Sequence, residues 1–304
     1  MIMTPNAILK KSSVAKANGL EIAYEQFGNP DASPLLLILG LGDQMISWDQ
    51  EFCEQLAARD YRVIRFDNRD VGLSTSLDHM GVPDIPALKR LMAQRKKAQA
   101  PYSLHDMADD AAGLLDFLNI ESAHIVGRSM GGMIGQIMAV DHPTRVKTLT
   151  SIMSSTSDTE LPPPKPEVLS IMLEPKPPDL ESFIEHSVRV RRILRGPGFQ
   201  DDENRVREWA HEAFIRGINP DGSARQFAAV IVSGSRREAL KSVTVPSLVV
   251  HGDSDPLVPV ECGIDTANAI HGAKLLIIKG LGHVLVPAVY PQVIDAISQH
   301  AVNG

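Results

Sequence analysis

The strongest constraint on the fold is Gly127-Arg128-Ser129-Met130-Gly131, which closes the apolar run Ala123-His124-Ile125-Val126. A strand-like run that ends in Gly-x-Ser-x-Gly and leads into a helix-like segment describes a sharp strand-to-helix turn with a serine at its apex. The residues two before and two after the serine must be small, because the two backbones pass close together and a Cβ would collide. Gly132 adds further room. In such a turn Ser129 projects its hydroxyl above the sheet edge and Met130 offers its backbone N–H to an oxyanion.

The surrounding chain has the alternation this device needs. Residues 19–27 alternate apolar and polar, as a half-exposed strand does. Residues 35–39 are continuously apolar, like a strand buried on both faces, and end in Gly40-Leu41-Gly42. Ser47-Trp48-Asp49-Gln50 reads as a capping box opening a helix, with Trp48, Phe52 and Leu56 on one side. Residues 61–66 form the next strand, followed by a tight polar turn at 67–74. Between 77 and 102, prolines bracket a basic helical stretch at 89–97 that reads as a solvated insertion. Ser103 caps an amphipathic helix carrying Met107, Ala111, Leu114, Leu115 and Leu118. The helix after Ser129 stops near His142-Pro143, and 146–153 is again a strand.

From 154 to 237 the character changes. Proline runs at 161–166 and 174–178 exclude regular helix or central strand there, and only helical patterns follow. The strand rhythm resumes at 246–251 and again at 274–278, with helices near 260–271 and 287–300. Strands alternating with helices imply a mostly parallel sheet with helices on both faces. The expected division is a core of residues 1–153 and 238–304 with a helical cap at 154–237.

With 304 residues, 43% hydrophobic and 22% charged, the chain can bury a core of useful size. A net charge of −7 argues against nucleic acid or an anionic membrane as partner, since both need a basic surface. Cys53 and Cys262 are far apart and lack metal-type spacing, which fits reduced thiols in a cytoplasmic protein. The first thirteen residues hold no apolar stretch of the kind a secretion signal uses. The longest apolar run, 35–39, is far too short to span a bilayer.

Sites in such sheets lie at the carboxyl ends of the strands, which selects the polar residues to weigh. A serine hydroxyl is a poor nucleophile until a base takes its proton, and the base is usually a histidine oriented by a carboxylate. In this kind of sheet the order is Ser, then Asp or Glu, then His. His283 meets that order and follows a strand in the Gly-rich loop Gly280-Leu281-Gly282. His251 precedes the carboxylates in question and reads as a packed strand-end residue; His124 lies inside a strand. Asp253 and Asp255 both follow a buried strand. Asp255, before the conformationally fixed Pro256, is preferred as the acid, with Asp253 as the alternative that stabilises the turn. The second oxyanion donor is expected from the loop after 35–39, with the N–H of Leu41 or a neighbour as candidate. This chemistry requires no metal and no organic cofactor.

Taken together, Gly40-Leu41-Gly42, Asp67-Asn68-Arg69-Asp70-x-Gly72-x-Ser74, Gly127-Arg128-Ser129-Met130-Gly131-Gly132, His251-Gly252-x-x-Asp255-Pro256 and Gly282-His283 resemble the α/β-hydrolase superfamily. The chain is most similar to its capped esterases related to aclacinomycin methylesterase. The resemblance implies an α/β fold with a mostly parallel eight-stranded sheet, helices on both faces, and a helical cap before the acid-bearing strand. It also implies a Ser129–Asp255–His283 triad that cleaves a small-molecule carboxylic ester. One departure stands out: many relatives carry His-Gly where this chain has Leu39-Gly40. In the cap, Met172, Trp209, Phe214 and Phe227 are candidates to line an apolar pocket. Arg189, Arg191, Arg192 and Arg195 suit an acidic substrate or a solvated helix face, the blander account. Rival readings are a lactonase, a carbon–carbon bond hydrolase, or a non-catalytic binding protein on this fold. A proline-iminopeptidase-like aminopeptidase is a further rival, and would use Glu203, Glu208 or Glu212 to hold an ammonium.

Overall fold

The structure, a computed structural model, describes residues 10–94, 96, 98–172, 174 and 176–303. Most of the amino-terminal stretch read for a leader lies outside the described residues, as do Arg95 and Lys97 of the basic stretch and Pro175 of the second proline run.

Eight strands form one sheet: β1 (Lys10–Ala17), β2 (Leu20–Phe27), β3 (Ser33–Ile38), β4 (Tyr61–Phe66), β5 (Ala123–Arg128), β6 (Val146–Ile152), β7 (Ser247–Gly252) and β8 (Lys274–Ile278). Their order is β1-β2-β4-β3-β5-β6-β7-β8. β2 is antiparallel to β1 and β4, and the remaining neighbours are parallel. β1 has no counterpart in the sequence reading. It is an edge strand whose first five residues are exposed, so it carries almost no apolar signal.

The helices are α1 (Gln50–Ala57), α2 (Ile85–Ala93), α3 (Leu104–Phe117), α4 (Met130–Asp141), α5 (Pro166–Met172), α6 (Leu180–Leu194), α7 (Glu203–Ile215), α8 (Pro220–Ser233), α9 (Arg237–Leu240), α10 (Val260–Ala269) and α11 (Tyr290–Asn303). Alternation along β3 feeds both faces of the sheet, because successive side chains of a strand point to opposite sides. Leu36 and Ile38 join Leu114, Ile134 and Met138 of α3 and α4. Leu35 and Leu37 join Phe52 and Leu56 of α1 and Ile294 of α11. Each such fully buried Leu or Ile contributes roughly 1.5–3 kcal/mol.

Helix starts follow local chemistry. Ser103 and Asp106 form a reciprocal capping box on α3. The helix start expected at Ser47 lies two residues further on and is a single cap rather than a box: Asp49 caps α1, accepting from Glu51 N at 2.8 Å. A 3-10 turn at Met45–Ser47 intervenes, because Met45 and Ile46 are drawn into an apolar cluster with Phe183, Ala210 and Ala213. The stretch expected to be a solvated insertion is also partly packed. Leu88 of α2 is buried, and Lys89 Nζ stands 5.2 Å from the ring centre of Phe227 on α8.

Between β6 and β7 the described residues form helices α5 to α9 and no strand. This inserted segment is bound to the sheet by ion pairs. Arg205 of α7 reaches Asp49, Arg216 reaches Asp67, and Arg225 of α8 reaches Asp70. Among the described residues no helix is long and apolar enough to cross a membrane.

Candidate active site

Ser129 occupies the sharp turn between β5 and α4, at φ 56° and ψ −123°. Such a backbone costs an L residue about 1–3 kcal/mol and persists only where the surroundings over-determine it. Here they do. Ser129 N donates to Ile152 O at 2.8 Å, and its carbonyl accepts from Gly132 N at 2.9 Å and Ser154 Oγ at 2.8 Å. A Cβ on Gly127 would strike the Gly131 carbonyl, and one on Gly131 would strike that of Ile38. The two glycines are therefore required by close backbone approach.

The loops after β7 and β8 bring an acid and a base to this serine. His283 Nε2 lies 3.0 Å from Ser129 Oγ, and His283 Nδ1 lies 2.7 Å from Asp255 Oδ2. The other Asp255 oxygen accepts the N–H groups of Leu257 and Val258 at 2.9 and 2.8 Å, so the carboxylate is fully committed and fully buried. The histidine loop is also fastened: His283 N donates to Leu194 O at 2.6 Å and Gly282 N to Arg195 O at 2.9 Å, both at the end of α6. Asp253 is turned away from the histidine. It accepts from Gly280 N at 2.6 Å and Ser254 Oγ at 2.8 Å, and the Gly280 N–H holds its carboxyl below the usual range. His251 packs beneath the acid, 3.6 Å from Asp255 Oδ2, with Nε2 2.8 Å from Val258 O. Burial pushes it below the usual histidine range, so it is neutral and donates that hydrogen bond.

The loop after β3 passes directly over the serine. A Cβ on Gly40 would lie 3.1 Å from Ser129 Cβ and 3.5 Å from Oγ. The N–H groups of Leu41 and Met130 have no acceptor among the described residues. The next residue is engaged: Gly42, at φ +68°, donates its N–H to Gln226 Oε1 at 2.8 Å. Gln226, fully buried on α8, also donates from Nε2 to Arg69 O at 2.8 Å. Asn68 Nδ2 holds Leu39 O at 3.1 Å, and Arg128 of the turn pairs with Asp43 at 2.8 Å. Where relatives carry His-Gly, this chain braces the loop from three separate segments. Sequence reasoning named Asn68 and Arg128 only as parts of motifs and passed over Gln226, because nothing local marks a glutamine in the middle of a helix as a partner of a loop in another part of the chain.

The four aromatic and methionine side chains expected to line a pocket have the following contacts. Trp209 and Phe214 pack on the cluster of Met45, Ile46 and Phe183. Phe227 faces Lys89, and Met172 is 38% exposed at the end of α5. These are contacts of the insertion with itself and with its supports. The arginines are likewise engaged: Arg189 with Glu174, Arg191 with Asp201 and Arg192 with Glu203. Among the described residues no cluster of three or more His, Cys, Asp or Glu side chains is arranged to hold a metal ion.

Comparison with known proteins agrees with this architecture. Residues 33–287 match the family described as the alpha/beta hydrolase fold. The chain is 32% identical over 305 aligned positions to the rhodomycin D methylesterases of Streptomyces sp. strain C5 and Streptomyces peucetius, covering 91% of this chain and 93% of each relative. Among solved structures it resembles an esterase from Rhodococcus sp. ECU1013, with a TM-score of 0.71 and 20% identity over 96% of this chain and 98% of that one. It also resembles a meta-cleavage product hydrolase from Pseudomonas fluorescens IP01, with a TM-score of 0.72 and 20% identity over 96% and 97% of the two chains. The eight-stranded sheet, the strained serine between β5 and α4 and the matched span together make this chain a member of the α/β-hydrolase family.

Proposed function

We propose that this protein hydrolyses carboxylic esters by acyl transfer through Ser129. The observation that carries the reading is the continuous hydrogen-bonded path from Ser129 Oγ through both nitrogens of His283 to Asp255, at 3.0 and 2.7 Å. Ser129 Oγ gives its proton to His283 Nε2 and attacks the ester carbonyl. Asp255 accepts the Nδ1 proton in a hydrogen bond, which sets the tautomer and supports the imidazolium. The N–H groups of Leu41 and Met130 receive the oxyanion. His283 then returns the proton to the departing alkoxide, which leaves as the alcohol. A water deprotonated by the same nitrogen attacks the acyl-enzyme, and the carboxylic acid departs as Ser129 regains its proton.

The alcohol half is proposed to be methanol, as the names of the two Streptomyces relatives suggest. An aminopeptidase is disfavoured, because Glu203 is bound to Arg192 and Arg207 and both Glu208 and Glu212 are exposed. The partner is a small-molecule ester and no nucleic acid, in keeping with a net charge of −7. Cys53 and Cys262 are both free and buried, in keeping with a cytoplasmic setting.

The test is turnover of short p-nitrophenyl and methyl esters beside an amino-acid p-nitroanilide. Ser129→Ala should lower ester turnover by roughly 10⁴-fold or more with the circular dichroism unchanged. Undiminished turnover in that variant, or cleavage of the anilide alone by the wild type, would overturn the reading.

A further inference from the structure

Lys176, in the loop between α5 and α6, is not placed like the paired arginines of the insertion. Its Nζ lies 3.6 Å from the point that a Cβ on Gly42 would occupy, which brings the ammonium over the loop after β3, one residue from Leu41. Ser223 Oγ, from α8, converges on the same point at 2.6 Å. Among the described residues Lys176 Nζ has no hydrogen-bond acceptor and no carboxylate within the 4.0 Å of an ion pair. The acid whose charge it senses is Asp43, and that carboxylate is already held by Arg128 at 2.8 Å. Two cations therefore face one carboxylate at the rim of the site. Burial pushes the Lys176 ammonium below the usual lysine range, and the attraction of Asp43 offsets this only in part. Lys176 is half-buried, and a cation held partly out of water with no direct partner is stabilised when an anion joins it.

We propose that Lys176 and Ser223 form an anion subsite beside Leu41, and that the ester this enzyme takes carries an ionised carboxylate which they hold during acyl transfer. The proposal rests on the esterase reading above. It assigns the substrate class as half-esters, in which one carboxyl is esterified and the other is free. The lysine ammonium donates to the free carboxylate, and the Ser223 hydroxyl, which donates to Asn219 O at 3.2 Å in the free protein, turns to the carboxylate as a second donor, while the esterified carbonyl lies between Ser129 Oγ and the N–H groups of Leu41 and Met130. The excess positive charge at the rim also disfavours a cationic group at the same place.

The experiment compares monomethyl succinate, glutarate and adipate with the matched neutral esters methyl butanoate, pentanoate and hexanoate. Each neutral ester replaces the free carboxylate by a methyl group. The quantity read is the ratio of kcat/KM for each half-ester to that of its neutral match, measured by proton release in wild type, Lys176→Met, Lys176→Arg and Ser223→Ala. Because the ratio is internal to each protein, partial misfolding of a variant cancels. The wild type should favour at least one half-ester. Lys176→Met should lower that ratio by about 10- to 100-fold, chiefly through KM, the scale of a hydrogen bond to a charged group. Lys176→Arg should keep most of the preference, and Ser223→Ala should lower it less than Lys176→Met does. Equal handling of charged and neutral esters by the wild type, or an undiminished preference in Lys176→Met, would overturn the anion subsite alone. A wild type that cleaves no ester of either series would overturn the esterase reading and this proposal with it.

Discussion

Asp253 and Asp255 stand two residues apart in one loop, and local chemistry treats them alike until their acceptor atoms are followed. Asp255 spends one oxygen on Leu257 and Val258 and the other on His283, whereas Asp253 spends itself on Gly280 and Ser254. Asparagine at 255 would place either an amide nitrogen against the N–H groups of the loop or one against His283 Nδ1, favouring the wrong imidazole tautomer. Asp255→Asn is therefore expected to lower kcat by about 10³–10⁴-fold, on the scale of the same change in serine proteases. Asp253→Asn should leave kcat nearly unchanged and lower thermal stability. Paired kinetic and melting measurements check this, and a larger kcat loss at 253 would reverse the assignment. The serine and the histidine were legible from order and spacing, because the sharp turn demands small neighbours and the histidine follows a strand. The choice between the two acids rested on Pro256, on the turn-stabilising alternative for Asp253 and on the family resemblance until the loop was folded.

α8 contributes to the site without touching the reacting atoms. Its buried face carries Arg225 and Gln226 side by side, one on the turn after β4 and the other on the loop after β3. Arg225 is paired with Asp70 at 2.8 Å, both side chains fully buried, and Tyr102 Oη donates to the same carboxylate at 2.7 Å. Removing one member of a buried pair leaves the other charge uncompensated. Arg225→Met should accordingly cost about 3–5 kcal/mol of stability. Adding Asp70→Asn to that variant should restore part of the loss. Urea denaturation of the two variants is the measurement, and equal loss in both would show that the pair is not what holds α8. Helical periodicity revealed that this segment is a helix. It did not reveal the partners, since arginine on a helix usually faces water and only the folded chain brings a buried aspartate beneath it.

Acid stability belongs to the molecule as a whole, because it sums over every group whose protonation differs between folded and unfolded chain. His124 is buried in β5, with Nδ1 2.9 Å from Thr148 Oγ1 and its ring edge-on to Tyr61. Burial foremost, then the nearby charges of Lys147 and His300, lowers its pKa from 6.5 to about 4. Between those two values the unfolded chain binds the extra proton and the folded chain does not. The stability this group confers is thus complete above about pH 6.5 and is lost progressively as the pH falls to about 4. The difference is worth about 3 kcal/mol. His251 and His300, also pushed down by burial, act in the same direction. Urea midpoints at pH 7 and pH 4.5 should therefore fall less between the two conditions in His124→Gln than in the wild type; an identical fall would remove this histidine from the account.

What the amino-acid order determined by itself was set by short-range sterics and periodicity. It specified the turn that strains Ser129, the alternation of strands and helices, and the histidine and the two aspartates at the strand ends. The tertiary structure alone decided which aspartate meets the histidine, how the loop after β3 is braced without the His-Gly of many relatives, and where Lys176 comes to rest. Gln226 and Gly42 are 184 residues apart in the chain. No local rule relates such positions, because their meeting depends on how the insertion packs against the sheet rather than on the conformational preferences of either segment.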